Sequence, residues 1–340
     1  MPRLIDRLLA ATKWKAELFN LPLWMFESNA VLQERCAGLR EDLRRSTVLV
    51  IDNVAKYYFQ HHTNPKGRMD GPEEFPQLAP PFPCAFYEYK IEPSMYDVMF
   101  NDAEEGRPRL FDTAGVLIRS VDAQEVLNVA PDVACFLEES RPGVSPKWVL
   151  IITLFTRRSA DRDVYGPSEL LMLAIGEDGQ ATNRLRSRPW GINDKCYDQL
   201  SDQRLMELGS PGRAILPAFL ATSFLHCRNV TTQEHVPPPK LSKAFQRRHG
   251  RPLIQFRTLA IEPMKEVLRR EGQVQTSGLK HALHLCRGHF KDYRNSGGLF
   301  GKHQGLFWWD MHARGAANHG VVVKDYAIKL PESGGSLEHR

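Results

Sequence analysis

Residues able to do phosphate chemistry crowd into the last quarter of this chain. His281-Ala-Leu-His-Leu-Cys-Arg-Gly-His-Phe-Lys291 and Leu306-Phe-Trp-Trp-Asp-Met-His-Ala-Arg-Gly315 are two apolar runs that carry Arg, His and Lys at alternate positions. On extended backbone alternate side chains share a face. Arg287, His289 and Lys291 therefore fall together on the first run, and Trp308, Asp310, His312 and Arg314 on the second. If the runs pair as a hairpin with their apolar faces together, the two polar sets lie side by side. The joining segment, 292–304, adds Tyr293, Arg294, Lys302 and His303, with Gly297, Gly298 and Gly301 for flexibility.

Such a face suits an RNA phosphodiester. Cleavage without a metal needs a base to take the 2′-hydroxyl proton, an acid for the leaving oxygen, and cations for the charge that develops on phosphorus. Histidine titrates near neutral pH and can fill either proton role. Arginine forks onto phosphate, and lysine supplies a point charge. On this reading His289 and His312 are the acid–base pair, in either order, and Arg287, Arg314 and Lys291 hold the phosphate. Asp310 orients a histidine, and Arg294, Lys302 and His303 extend the phosphate contacts. The plain alternative is a cross-strand ladder of Arg–Asp pairs worth little, with the histidines as satisfied edge or core residues. Trp308 and Trp309 face opposite ways on a strand, so at most one can stack on a base.

Other chemistries fit less well. His281, His284, Cys286 and His289 are ligand-type residues, but strand alternation turns His281 and His289 away from the other two, and no H-E-x-x-H or paired C-x-x-C occurs. No metal and no cofactor is expected. Gly298-Leu-Phe-Gly301-Lys302-His303 fails as a phosphate loop, because histidine stands where Ser or Thr would hold magnesium.

Charge reinforces the emphasis on this end. Between Lys240 and Lys329 there are 17 Lys and Arg against 6 Asp and Glu, a net +11 in a chain whose total is +5. Seven of the 12 histidines lie in the same segment. Such asymmetry points to a polyanionic partner, RNA first; the bland account is a basic face balanced by an acidic N-terminal half. Six scattered cysteines, with no apolar leader in residues 1–21 and no apolar run long enough to span a bilayer, give the expectation of a reduced, cytoplasmic protein with no membrane contact.

The elements that must position these residues follow from periodicity. Residues 2–62 read as helical, with Ser28 capping a helix whose stripe is Leu32, Cys36, Leu39 and Leu43. The run 48–51 fits helix or strand. Residues 63–83 form a Pro- and Gly-rich loop anchored by Phe75, Leu78 and Phe82. Strands are expected at 84–91, 116–121, 148–155 and 170–175, and a loop at 180–197. A buried helix should run from Ser210 to about Cys227, kinked by Pro217. Val-Pro-Pro-Pro at 236–239 precedes a short helix that ends at Gly250 and puts Lys240, Lys243 and Arg247 on one side, as further phosphate contacts. Strands at 253–262 and 321–330 complete the set.

Strands come in blocks, so the expected class is α+β: N-terminal helices with a largely antiparallel central and C-terminal sheet. The regions are 1–235, 236–330 (or one single domain) and a loose tail at 331–340. His-x-Cys-Arg-Gly-His-Phe-Lys and Phe-Trp-Trp-x-x-His-x-Arg-Gly resemble uncharacterised proteins of bacterial and phage genomes, as do Leu-Ala-Pro-Pro-Phe-Pro and Arg-Arg-His-Gly-Arg-Pro-Leu. The resemblance implies a phage or mobile-element setting and transfers no role to any residue. Together these readings give a nucleic-acid- or nucleotide-phosphate-directed protein, in its sharpest form a metal-independent RNase. The competing class is a non-catalytic nucleic-acid-binding or phage accessory or structural protein.

Overall fold

The computed structural model describes residues 2–11, 14, 27–61, 71–95, 111–129, 144–158, 165–191, 211–262, 264, 267–268, 282–286, 288–299, 301–309, 312–314 and 316–322. They form two compact units, residues 1–60 with 69–261, and residues 61–68 with 262–340.

The first unit begins with α1 (Leu4–Ala10) and α2 (Asn29–Arg45). Ser28 caps α2 as expected, its Oγ accepting from the Val31 N–H at 3.4 Å. The ambiguous run becomes strand β1 (Thr47–Val50), and α3 (Asp52–His61) carries the chain across to β2 (Cys84–Lys90). Phe75 and Leu78 are fully buried and pin the intervening loop. Next come β3 (Phe111–Asp122), α4 (Ala123–Val129), β4 (Pro146–Arg158), β5 (Tyr165–Gly176) and β6 (Arg186–Pro189). The last of these lies inside the expected loop at 180–197; its residues Arg-Ser-Arg-Pro have no apolar alternation to announce an edge strand. After a 3-10 turn come α5 (Leu216–Leu225), β7 (Val230–His235), α6 (Pro239–His249) and β8 (Phe256–Ile261). Pro217 does not kink a helix. It stands in the first turn of α5, where its missing N–H has no helical partner to lose.

The eight strands make one sheet in the order β6-β5-β4-β3-β2-β1-β8-β7. From β2 to β6 it is an antiparallel meander. β1 runs parallel to both β2 and β8, which its helical crossover through α3 permits. β7 lies antiparallel to β8 at the edge. Period-2 alternation sorts the side chains of β2 between layers. Phe86 packs with Leu4, Ile5, Leu8 and Leu43 of α1 and α2. On the other face Tyr87 hydrogen-bonds Thr222 of α5 at 2.9 Å, and Tyr89 donates to the Ala214 carbonyl at 2.7 Å. Gly115 on β3 is glycine for space, since a Cβ there would run into the Phe86 ring.

The second unit contains β9 (Ala282–Cys286), β10 (His289–Asp292), β11 (Leu306–Trp309), β12 (His312–Arg314) and β13 (Ala316–Val322). The two runs singled out from sequence pair antiparallel, β10 with β11 and β9 with β12. Both ladders keep one register. Three residues back from His289 and three forward from Trp309 lies the observed pair Cys286↔His312. The last strand is Ala316–Val322, parallel to β9; most of the strand expected at 321–330 lies outside the described residues. The chain divides at 261–262, after the Pro run, because β8 is held in the first unit by β1 and β7.

Candidate nucleic-acid interface

Helix α6 is built by local rules. Three prolines lead into it, one of them in its first turn. Gly250 ends it in the left-handed region (φ 74°), donating its N–H to the Gln246 carbonyl at 2.8 Å. Phe245 is its buried residue, its ring tilted against that of His249 with centroids 4.3 Å apart. At about 100° per residue, Lys240, Lys243 and Arg247 fall within about 60° of arc on the side opposite Phe245. All three are exposed, as is Arg248, and among the described residues none of the four has an ion-pair or hydrogen-bond partner for its side chain. The sequence placed these cations on one side, and the helix does so.

The hairpin in the second unit differs from its expected register. Arg287, His289 and Lys291 were to lie beside Asp310, His312 and Arg314. Instead His289 pairs with Trp309, Phe290 with Trp308, Lys291 with Phe307 and Asp292 with Leu306. Directly opposed residues share a face, so the cationic positions of β10 meet the odd-numbered aromatic positions of β11. The reason lies in β11. Leu306, Phe307 and Trp308 are all buried, so both of its faces are apolar and neither dictates register. Phe307 packs against Met264, Val267 and Leu268, while Trp308 meets Phe290 edge-on at 4.8 Å.

Each remaining candidate has a definite place. His289 is exposed at the start of β10. The Lys291 ammonium sits 4.1 Å from the Trp309 ring centroid, a cation–π contact that occupies the half-buried indole. Arg294 forks onto Asp292 at 2.7 and 3.0 Å, and these bonds hold the Asp292 carboxyl below the usual carboxylate range. Lys302 is exposed, and His303 lies half-buried, 6.0 Å edge-on from Phe307. For His312 and Arg314 the backbone register is described, opposite Cys286 and His284. Arg287 and Asp310 lie outside the described residues. Among the described residues, no group of three or more His, Cys, Asp and Glu is arranged to hold a metal ion.

The sequence reading passed over a polar cleft in the first unit. About 470 Å³ in volume, it is lined by Arg3, Asp6, Asp52, Glu88, Lys90 and Arg157, among others. Glu88 is buried mid-strand, its two oxygens accepting the Leu4 and Ile5 N–H groups of α1 at 3.0 and 3.2 Å. Burial pushes its carboxyl up to about 7; the two N–H donors and Arg3 pull the other way, and Asp6 adds to the rise. Asp6 is raised too, chiefly by burial, although the Ile254 and Arg3 N–H groups donate to it. Arg157 pairs with Asp112 at 2.8 Å. Arg157 is thus committed to Asp112, acidic and basic side chains alternate around the cleft instead of forming a cationic face, and Glu88 spends both oxygens fastening α1. A lone carboxylate in the aromatic run Ala85-Phe-Tyr-Glu-Tyr89 is the signal that could have found it.

No protein-family model matches the chain, and neither a curated protein nor a solved structure does. No described helix is long and apolar enough to cross a membrane.

Proposed function

We propose that this protein is a nucleic-acid-directed binding protein of phage or mobile-element type that grips phosphates, RNA first, through α6. One observation carries the reading: Lys240, Lys243 and Arg247 form an exposed stripe, unpartnered among the described residues, on a helix anchored from its opposite side by Phe245. Cations that serve a fold are met by carboxylates or aromatic rings, as Arg157 is by Asp112 and Lys291 by Trp309. Cations left to water remain available to phosphate, where each releases condensed counterions on binding. The basic composition of 240–329 supports the same reading.

The test is affinity for single-stranded RNA across a salt series. The combined variant Lys240→Ala/Lys243→Ala/Arg247→Ala should lose about 2 units of the log–log salt slope and about 10²-fold in affinity at 0.1 M salt, from about 0.7 per phosphate contact. A flat salt response in the parent protein would defeat the reading. The metal-independent RNase is the second reading. What favours it is His289, an exposed imidazole two residues from Lys291 on one strand face; histidine as general acid or base contributes roughly 10²–10⁴-fold in rate. His289→Ala should then abolish RNA cleavage in chelator while sparing affinity.

A further inference from the structure

Beside α6 in the first unit lies a hollow of about 400 Å³ lined by Leu43, Arg44, Val48, Val236, Ser242 and Gln255, among others, within the size range of small-ligand sites; Arg44 is paired with Glu41 at 3.1 Å. Its composition is distinctive. Leu43, Val48 and Val236 supply apolar walls. Ser46 and Ser242 have hydroxyls already engaged, with the Leu43 carbonyl and the Leu253 N–H. Gln255 is exposed, and among the described residues its side-chain amide has no partner. That amide offers both donors and acceptors. Val236 is 74% exposed and Leu241, which lines the polar cleft and not this hollow, 56%; with Val144 they are the exposed large apolar residues of the described chain. These two flank the proline turn into α6, within a few residues of Lys240 and Lys243.

A duplex keeps its base faces stacked and its pairing edges spent, and offers such a surface little beyond phosphate. An unpaired base has two apolar faces and an edge of donors and acceptors, and single strands are recognised by engaging both. We propose that the hollow takes one unpaired base of a single-stranded polynucleotide whose phosphates run along Lys240, Lys243 and Arg247. Val236 packs against the base, and the Gln255 amide meets its edge. Charge complementarity selects this occupant: Lys243, about 100° round α6 from Ser242 of the hollow, is the stripe cation nearest to it, and the strand's phosphates continue from there along Arg247 and Lys240. The inference rests on the phosphate-binding reading above and narrows it to unpaired strands.

The experiment is fluorescence anisotropy on the full chain, with a short labelled RNA free and annealed to its complement. The single strand should bind on the order of tenfold tighter than the duplex, whose bases are stacked and paired and cannot enter the hollow. Gln255→Ala and Val236→Ser, both at exposed positions, should each weaken single-strand binding about three- to tenfold and leave the salt slope unchanged. Equal binding of the two forms, or unaltered single-strand affinity in both variants, would overturn the base site. If the salt-sensitive binding lost in the triple cation variant persisted, that result would leave the phosphate-binding reading standing. Absence of binding to either RNA at low salt would overturn both.

Discussion

Helix α6 and the β10–β11 hairpin carry the same cationic residue types and treat them in opposite ways. On α6, Lys240, Lys243, Arg247 and Arg248 are exposed and, among the described residues, without partners. In the hairpin, Lys291 lies over Trp309 and Arg294 is forked onto Asp292. A basic residue in sequence is a claim about charge, whereas its availability depends on what the fold puts within a few ångströms of it. An 11-residue helix anchored by one aromatic leaves its far side uncommitted. A strand such as β11, buried on both faces, draws its neighbours' side chains into packing.

The comparison can be broken or sharpened by substitution. The largest effect should come from Trp308→Ala, which removes a buried indole from the hairpin and should cost about 4 kcal/mol of stability, read by urea unfolding, while RNA affinity in native buffer stays near that of the parent. Phe245→Ala should cost about 3 kcal/mol and, by loosening the helix that presents the stripe, weaken RNA binding as well; unchanged affinity would show that the stripe needs no fixed helix. Single cation changes come next. Lys243→Ala should lower single-stranded RNA affinity about fivefold at 0.1 M salt, whereas Lys291→Ala should change it less than twofold. If the order reversed, the hairpin and not α6 would be the phosphate face. The smallest effect is expected for Arg294→Ala, whose exposed pair with Asp292 is worth no more than about 0.5 kcal/mol in thermal unfolding.

Glu88 provides a pH test that stands apart from binding. Its carboxyl lies near 7 in the fold, against an ordinary value of 4.5. The folded state therefore holds the proton more tightly than the unfolded chain does. Its contribution to stability is complete below pH 4.5 and is lost as pH rises through 7. Denaturant midpoints of the parent should fall between pH 4.5 and 7 relative to those of Glu88→Gln. A parallel pH dependence in the two proteins would mean that Glu88 titrates in the fold as it does in the unfolded chain.

Much of the architecture was readable from local pattern. Ser28 as a cap, Gly250 as a left-handed stop and the apolar α5 each follow from interactions within a few residues, and so does the side of α6 on which Lys240, Lys243 and Arg247 fall. The α+β class followed from strands occurring in blocks. The hairpin pairing was legible, but its register was not. Expecting His289 beside His312 required β11 to have a polar face, and burial of Leu306, Phe307 and Trp308 on both sides removed that constraint.

What the sequence determined by itself is therefore short-range: which segments extend or coil, where they stop, and which residues alternate or stripe along them. The tertiary structure alone decided which strand partners faced those residues. It put Trp309 opposite His289, fastened α1 through Glu88 on β2, more than eighty residues away, and gathered Leu43, Val236 and Gln255 around one hollow. The physical reason is that propensity and capping act between neighbours along the chain. Register, burial of a lone carboxylate and the lining of a hollow are set by free energies between segments distant in sequence, which no single window of residues contains.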